Sequence, residues 1–304
     1  KLLLKYWGSD YRTHITEDKW NKAIKDLERL RINKNENSLL LEKSKNSFYK
    51  KNNFIIFKKK KIKIIFNKTK GLSLDSIYID NKKFPISTVK HGELDLIKHG
   101  ADFFTGTTII ESAETGKISD LTESEKINYF RIDKNLYKIE AIIKMKNGIK
   151  EIKSWTVNVD DNSIIFDLIL ECPFFIKGSI RVGIITLDKK FTSKNGYIRI
   201  KNGDKYYEKI DLKNNEINQH TAKSLTQSSS GGLGVTNGVI QFKNDDYSLK
   251  IKVNRKVSYP FIMLQNNKDK KGYLTRIYFS LQELDDTLKY NNKSKYRLNY
   301  KIKL

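Results

Sequence analysis

From about Ser47 onward, apolar and polar residues alternate in short runs: FIIFKK, KIKIIF, LSLDSIYI, NYFRI, LYKIEAIIKM, IKSWTVNV, SIIFDLIL, SIRVGIITL, GYIRI, VIQF, SLKIKV, FIMLQ and LTRIYFSL. A period of two puts successive side chains on opposite faces of the chain, so each run predicts a strand. The Asn-Gly pairs at 147–148, 195–196, 202–203 and 237–238 carry the chemistry of tight hairpin turns. The three prolines, Pro85, Pro173 and Pro260, fall at the edges of apolar runs, where a missing N–H donor is harmless. Thirteen strands exceed the roughly seven of a simple sandwich, and they predict a mainly β domain built as one large antiparallel double sheet or as a pair of sandwiches.

The beginning of the chain has a different period. Thr16 can cap a helix, Glu17 and Asp18 fall in its first turn, and Trp20, Ala23, Ile24, Leu27 and Leu30 recur at helical spacing. Residues 32–46 are polar and asparagine-rich and read as a linker. The expected organisation is therefore a helical segment over residues 1–46 and a β domain over residues 47–304. No apolar run approaches the roughly 20 residues of a membrane span, so no membrane partner is expected.

The net charge of +24 raises the possibility of a polyanionic partner. Its distribution argues otherwise. Nine arginines stand against fifty lysines, whereas phosphate and base recognition favours the arginine fork. Lysines alternate with isoleucines in KKKKIKIIFNK, residues 58–68, which places them on a solvated sheet face. No nucleic-acid partner is expected. The single Cys172, inside LILECPFF, excludes an internal disulfide framework and reads as a small packed hydrophobe.

Candidate chemistry concentrates in TVKHGELDLIKHGADFFTGT, residues 88–107. At strand period His91, Glu93 and Asp95 would share one face, with His99 and Asp102 close behind. Imidazole and carboxylate together fit a metal site, a general acid and base acting on a sugar, or hydrogen bonds that hold a long loop over a sheet. No second ligand cluster occurs elsewhere, so no metal is expected. Phe103 and Phe104 follow directly, and an aromatic face beside carboxylates suits a sugar ring. The acidic stretch QELDD, residues 282–286, reads as a solvated turn. Residues 224–238, SLTQSSSGGLGVTNG, lack the Walker lysine and the spaced glycines of a dinucleotide turn, and read as a flexible loop. There is no nucleophile elbow for a serine or cysteine triad.

Several stretches, in order along nearly the whole chain, resemble the C-terminal half of bacterial glycoside hydrolase family 57 proteins. They are YWGSDYRTHITEDKW (residues 6–20), PISTVKHGELDLIKHGADFFTGTTIIE (85–111) with KISDL (117–121), GLGVTNG (232–238) and LTRIYFSLQELDDT (274–287). The resemblance implies a galactose mutarotase-like β-supersandwich after a catalytic barrel, action on α-linked glucans or related glycans, and no cofactor; a cytoplasmic location is a separate expectation. The family's nucleophile and acid belong to that barrel, so the catalytic residues are expected upstream of this chain and the barrel becomes a partner in cis. On this reading Trp7, Asp10, Arg12 and His14 close the catalytic region and face the shared cleft, or form an interdomain ion pair. His91, Glu93, Asp95, His99, Asp102 and Phe103 are the further substrate-binding candidates. Two rivals remain: an autonomous mutarotase-like epimerase using His91 or His99 with Glu93, and a stand-alone glycan-binding module.

Overall fold

The computed structural model describes residues 16–18, 21–24, 47–94, 102–193, 195–203, 205–213, 215–217, 232–284 and 294–304. The chain divides into two compact units, Lys1–Glu42 and Lys43–Leu304. In the first, residues 17–18 and 21–24 are helical. Ala23 is buried there while Ile24 is exposed. Consecutive helical residues lie about 100° apart, so neighbours in sequence can differ in burial in this way.

The second unit is an antiparallel β structure. It opens with β1 (Phe48–Lys51), β2 (Phe54–Lys59), β3 (Ile62–Asn67), β4 (Ser73–Ile79) and β5 (Lys82–Ser87), then β6 (Thr107–Ser112) and β7 (Gly116–Ser119). A second meander follows: β8 (Lys126–Asp133), β9 (Leu136–Lys144), β10 (Lys150–Asn158) and β11 (Ser163–Glu171). The chain continues through β12 (Gly178–Leu187), a single helical turn (Lys189–Ser193), β13 (Tyr197–Ile200), β14 (Glu208–Asp211) and β15 (Gly232–Leu233). It closes with β16 (Val239–Lys243), β17 (Ser248–Val253), β18 (Phe261–Asp269), β19 (Gly272–Gln282) and β20 (Lys295–Lys303). Among the described residues no helix is long and apolar enough to cross a membrane.

These strands form two sheets. The first runs β1-β2-β3-β4-β5-β12-β19-β18-β15, with β6 on β12 and β7 on β6; the second runs β14-β13-β16-β17-β20-β11-β10-β9-β8. The expected mainly β architecture, a large antiparallel double sheet, is present. The Asn147-Gly148 turn joins β9 to β10 with both residues at positive φ, 59° and 73°, as a type I′ turn requires.

Alternation decides what lies between the sheets. β17 and β20 expose every other residue, largely lysine, and bury Leu249, Ile251, Val253, Tyr296, Leu298, Tyr300 and Ile302. An aromatic column crosses the core. Phe66 of β3 meets Trp155 of β10, which meets Phe166 edge-on at 4.7 Å; Phe166 and Phe279 each stack on Tyr300 at 4.8 Å. Tyr300 also donates from its hydroxyl to the Gly183 carbonyl at 2.9 Å, satisfying a phenol that is otherwise sealed in apolar surroundings. Gly183 sits at φ +58° in a bulge of β12, and a Cβ there would come within 2.7 Å of Phe166 and 3.0 Å of Tyr300. Only glycine allows both the backbone conformation and the close approach.

Candidate functional site

Among the described residues the lysine pattern has one exception, and it is inside. On β10 the face that carries Trp155 and Val157 also carries Lys153 and Glu151, all fully buried. Lys153 Nζ donates to the Gly71 carbonyl at 2.7 Å and to Asp120, and lies 3.1 Å from Glu151 Oε1. Asp120 Oδ1 in turn accepts from Thr107 Oγ1 at 2.5 Å and from the Thr108 N–H at 3.0 Å. The ammonium therefore ties the second sheet to the β3–β4 turn and to the end of β7. Burial pushes the Glu151 carboxyl up to about 7; Lys153 opposes that rise and Asp120 adds to it. This is an interior brace, shut off from any substrate.

A second polar row lies on the face of the first sheet turned away from that core, and it too is largely buried. Register pairs Gln265 of β18 with Arg276 of β19, and Arg276 with Thr186 of β12. The same alternation that sends Ile277 and Phe279 inward sends Arg276 and Tyr278 outward, where Tyr278, Ile184 and Met263 form a separate apolar cluster. Arg276 is only 6% exposed. Its Nε donates to Thr186 Oγ1 at 3.3 Å and its Nη1 to the Tyr278 hydroxyl at 3.0 Å, and that hydroxyl donates to Gln265 Oε1 at 2.5 Å. The guanidinium lies 5.3 Å from the Phe103 ring centre and 5.1 Å from that of Tyr278. No carboxylate bonds to it among the described residues. A planar, multidentate donor between two aromatic faces can hydrogen-bond oxygen-rich groups, and here its Nε and Nη1 are used by Thr186 and Tyr278.

The predicted cluster comes up beside this row in part. Val89 and Phe103 bridge through reciprocal backbone bonds, which puts Phe103 against Arg276. His91 is exposed, and its backbone N–H donates to Asp102 Oδ1 at 2.7 Å; Glu93 Oε1 accepts from the Lys90 N–H at 3.0 Å, and the Glu93 carbonyl accepts from Lys189 Nζ at 2.8 Å. The strand-period argument fails here. Residues 91–94 form a turn with Gly92 at φ +91°, so His91 and Glu93 do not share a strand face, and both carboxylates are occupied in holding the loop. The His91 imidazole makes no hydrogen bond among the described residues. Asp95 and His99 lie outside those residues, as do Trp7, Asp10, Arg12 and His14. Among the described residues no group of three or more His, Cys, Asp or Glu side chains could hold a metal ion.

The QELDD stretch is also different from a solvated turn in its first two residues. Gln282 is buried, donating to the Ile176 and Gly178 carbonyls and accepting from the Tyr296 hydroxyl at 2.7 Å. Glu283 takes a two-toothed bond from Arg181, at 2.9 and 2.8 Å, and a third from Ser179 Oγ at 2.7 Å. Burial would raise its pKa, but these hydrogen bonds outweigh it and hold the carboxyl below the usual range. Glu283 is thus a fixed anion at the end of β19, unsuited to delivering a proton. The reading of Cys172 stands: the thiol is buried, and burial pushes it up to about 12.

By sequence, the chain matches no family model and no curated protein. By structure it is similar to a mutant of heparan sulfate lyase HepC from Pedobacter heparinus, with 10% identity and a TM-score of 0.51 over 88% of this chain and 36% of that one. It is similar also to a TPR-domain containing protein from Parabacteroides distasonis, with 12% identity and a TM-score of 0.50 over 82% of this chain and 46% of that one. Galactose 1-epimerase from Lactobacillus acidophilus aligns with 8% identity and a TM-score of 0.45 over 82% and 93%, a fit too distant to argue from. Likeness at such identity establishes the fold. The chain spans between about a third and a half of the length of the first two.

Proposed function

We propose that this chain is the β-sandwich part of a larger carbohydrate-active protein, in which it shapes the glycan cleft beside a catalytic domain in cis. The observation that supports this is the sharing of one sandwich with a heparan sulfate lyase in which it accounts for about a third of the chain. The outer face of the first sheet offers what such a cleft wall needs: the Arg276 donors, the Tyr278 hydroxyl, the Gln265 amide and the Phe103 ring. Its role is recognition, since no acid and base pair converges there among the described residues. The narrower reading, a family 57-like parent acting on α-linked glucans without a cofactor, rests on the sequence motifs alone.

The test is to read the coding sequence upstream of Lys1, express the long form and this chain, and assay each for release of reducing ends from soluble α-glucans. Activity in the long form, reduced by Arg276→Gln with a raised KM, supports the proposal. Turnover by this chain alone, or acceleration of glucose or galactose mutarotation in a polarimeter, overturns it.

A further inference from the structure

A second site lies where the chain crosses from β17 in the second sheet to β18 in the first. A cleft of about 590 Å³ is lined there by Val257, Ser258, Tyr259, Leu281, Lys295 and Arg297. A smaller one of about 220 Å³ adjoins it, and Tyr259 lines both. Tyr259 is 75% exposed, far beyond what a structural tyrosine needs. Arg255 lies over its ring at 5.0 Å and is itself tethered, donating to the Thr236 carbonyl at 2.6 Å. The crossing segment is held in place: the Asn254 N–H donates to the Asn299 carbonyl at 2.8 Å, and the Asn254 carbonyl accepts from the Val257 N–H at 2.9 Å.

Charge here is of one sign. Lys295 is paired with Glu171 at 3.0 Å, but Arg255 and Arg297 form no ion pair among the described residues. Ion pairs do form elsewhere, as in Lys301–Asp161, Lys144–Glu125 and Lys83–Asp188. With 59 lysines and arginines to 35 acids, however, many cations of this chain are unmatched, so the site is marked by its exposed ring and cleft rather than by its charge alone. An exposed aromatic ring with one guanidinium over it and a second lining the same cleft combines a stacking surface for a pyranose with forks for a planar carboxylate.

We infer that these adjoining clefts bind an acidic glycan, with Tyr259, which lines both, stacking on a sugar ring, and with Arg297 in the larger cleft and Arg255 in the smaller one each available to a uronic acid carboxylate. The inference rests on the carbohydrate reading above and places a second glycan contact away from the Arg276 row. It is tested by calorimetry on the full chain at 150 mM salt with a galacturonate tetrasaccharide and, in parallel, maltotetraose. The charge control is Lys58→Gln on β2, near the opposite edge of the first sheet. Binding of the uronate that weakens about tenfold in Tyr259→Ala, which changes no charge, and in Arg297→Gln, but not in Lys58→Gln, supports the site; about tenfold is one lost contact of this kind. Uronate binding that is equal in all variants, or weakened equally by Lys58→Gln, overturns the site and leaves the carbohydrate reading standing. So does binding of maltotetraose alone. Binding of neither sugar overturns both.

Discussion

Glu151→Gln separates the electrostatics of the interior brace from its packing. The carboxyl is fully buried, and its pKa rises from an ordinary 4.5 to about 7, a gap of 7 − 4.5 = 2.5. At about 1.36 kcal/mol per unit, the folded state prefers the protonated form by about 3 kcal/mol. A raised folded pKa means that this stability is fully present below the unfolded value and is lost as pH rises through the folded one. The wild type should therefore lose about 3 kcal/mol between pH 4 and pH 8 from this group, when an ionised Glu151 joins Asp120 around a single Lys153. Glutamine keeps the shape and a carbonyl acceptor for Lys153 but does not titrate. Urea denaturation of both proteins across that range isolates the group, because every other titration cancels in the difference. The variant should gain on the wild type by about 3 kcal/mol as pH rises. A difference that stays flat across the range would refute the account and mean that Glu151 is ionised in the fold at pH 5.

Removing the cation of the same brace should act in the opposite sense: Lys153→Met leaves Asp120 buried and unpaired and should lose about 3–5 kcal/mol at pH 7 in urea titrations, partly restored by adding Asp120→Asn. Gly183→Ala should lose at least about 2 kcal/mol in the same assay, from a strained positive φ and the approach to Phe166, Leu298 and Tyr300; an unchanged midpoint would mean that the β12 bulge relaxes freely. Cys172 should resist thiol reagents at pH 8 in the native protein and react only once urea unfolds it, and rapid native labelling would contradict its burial.

The strands that could be read from the sequence share a property: aliphatic residues on the inward register. All thirteen predicted runs are strands. β20 went unread although it is central to the second sheet, because KYRLNYKIK buries two tyrosines, a residue type that a hydropathy pattern scores as polar. β5 was hidden by Pro85, and β1, β7, β14 and β15 are only two to four residues long, below what periodicity resolves. The buried brace was legible in principle. In KEIKSWTVN the residues at Trp155 minus two and minus four are Lys153 and Glu151, so a tryptophan facing the core takes both charges in with it.

The candidate site was harder to see because its residues meet across strands far apart in sequence. The loop of residues 88–107 drew attention by its histidines and carboxylates, yet much of that polarity goes into backbone capping. The more informative residue type was the rare one. In a chain whose cations default to lysine on solvated faces, four of the described arginines make bidentate or ring contacts. Arg181 chelates Glu283, while Arg199, Arg255 and Arg276 lie over the rings of Tyr207, Tyr259 and Phe103. An ammonium can neutralise a carboxylate, but it cannot offer parallel donors and a stacking face together. Ring contact alone does not set arginine apart, since Lys201 lies over the same Tyr207 ring as Arg199; what marks out Arg276 is that separate guanidinium nitrogens reach Thr186 and Tyr278 while the plane lies over Phe103.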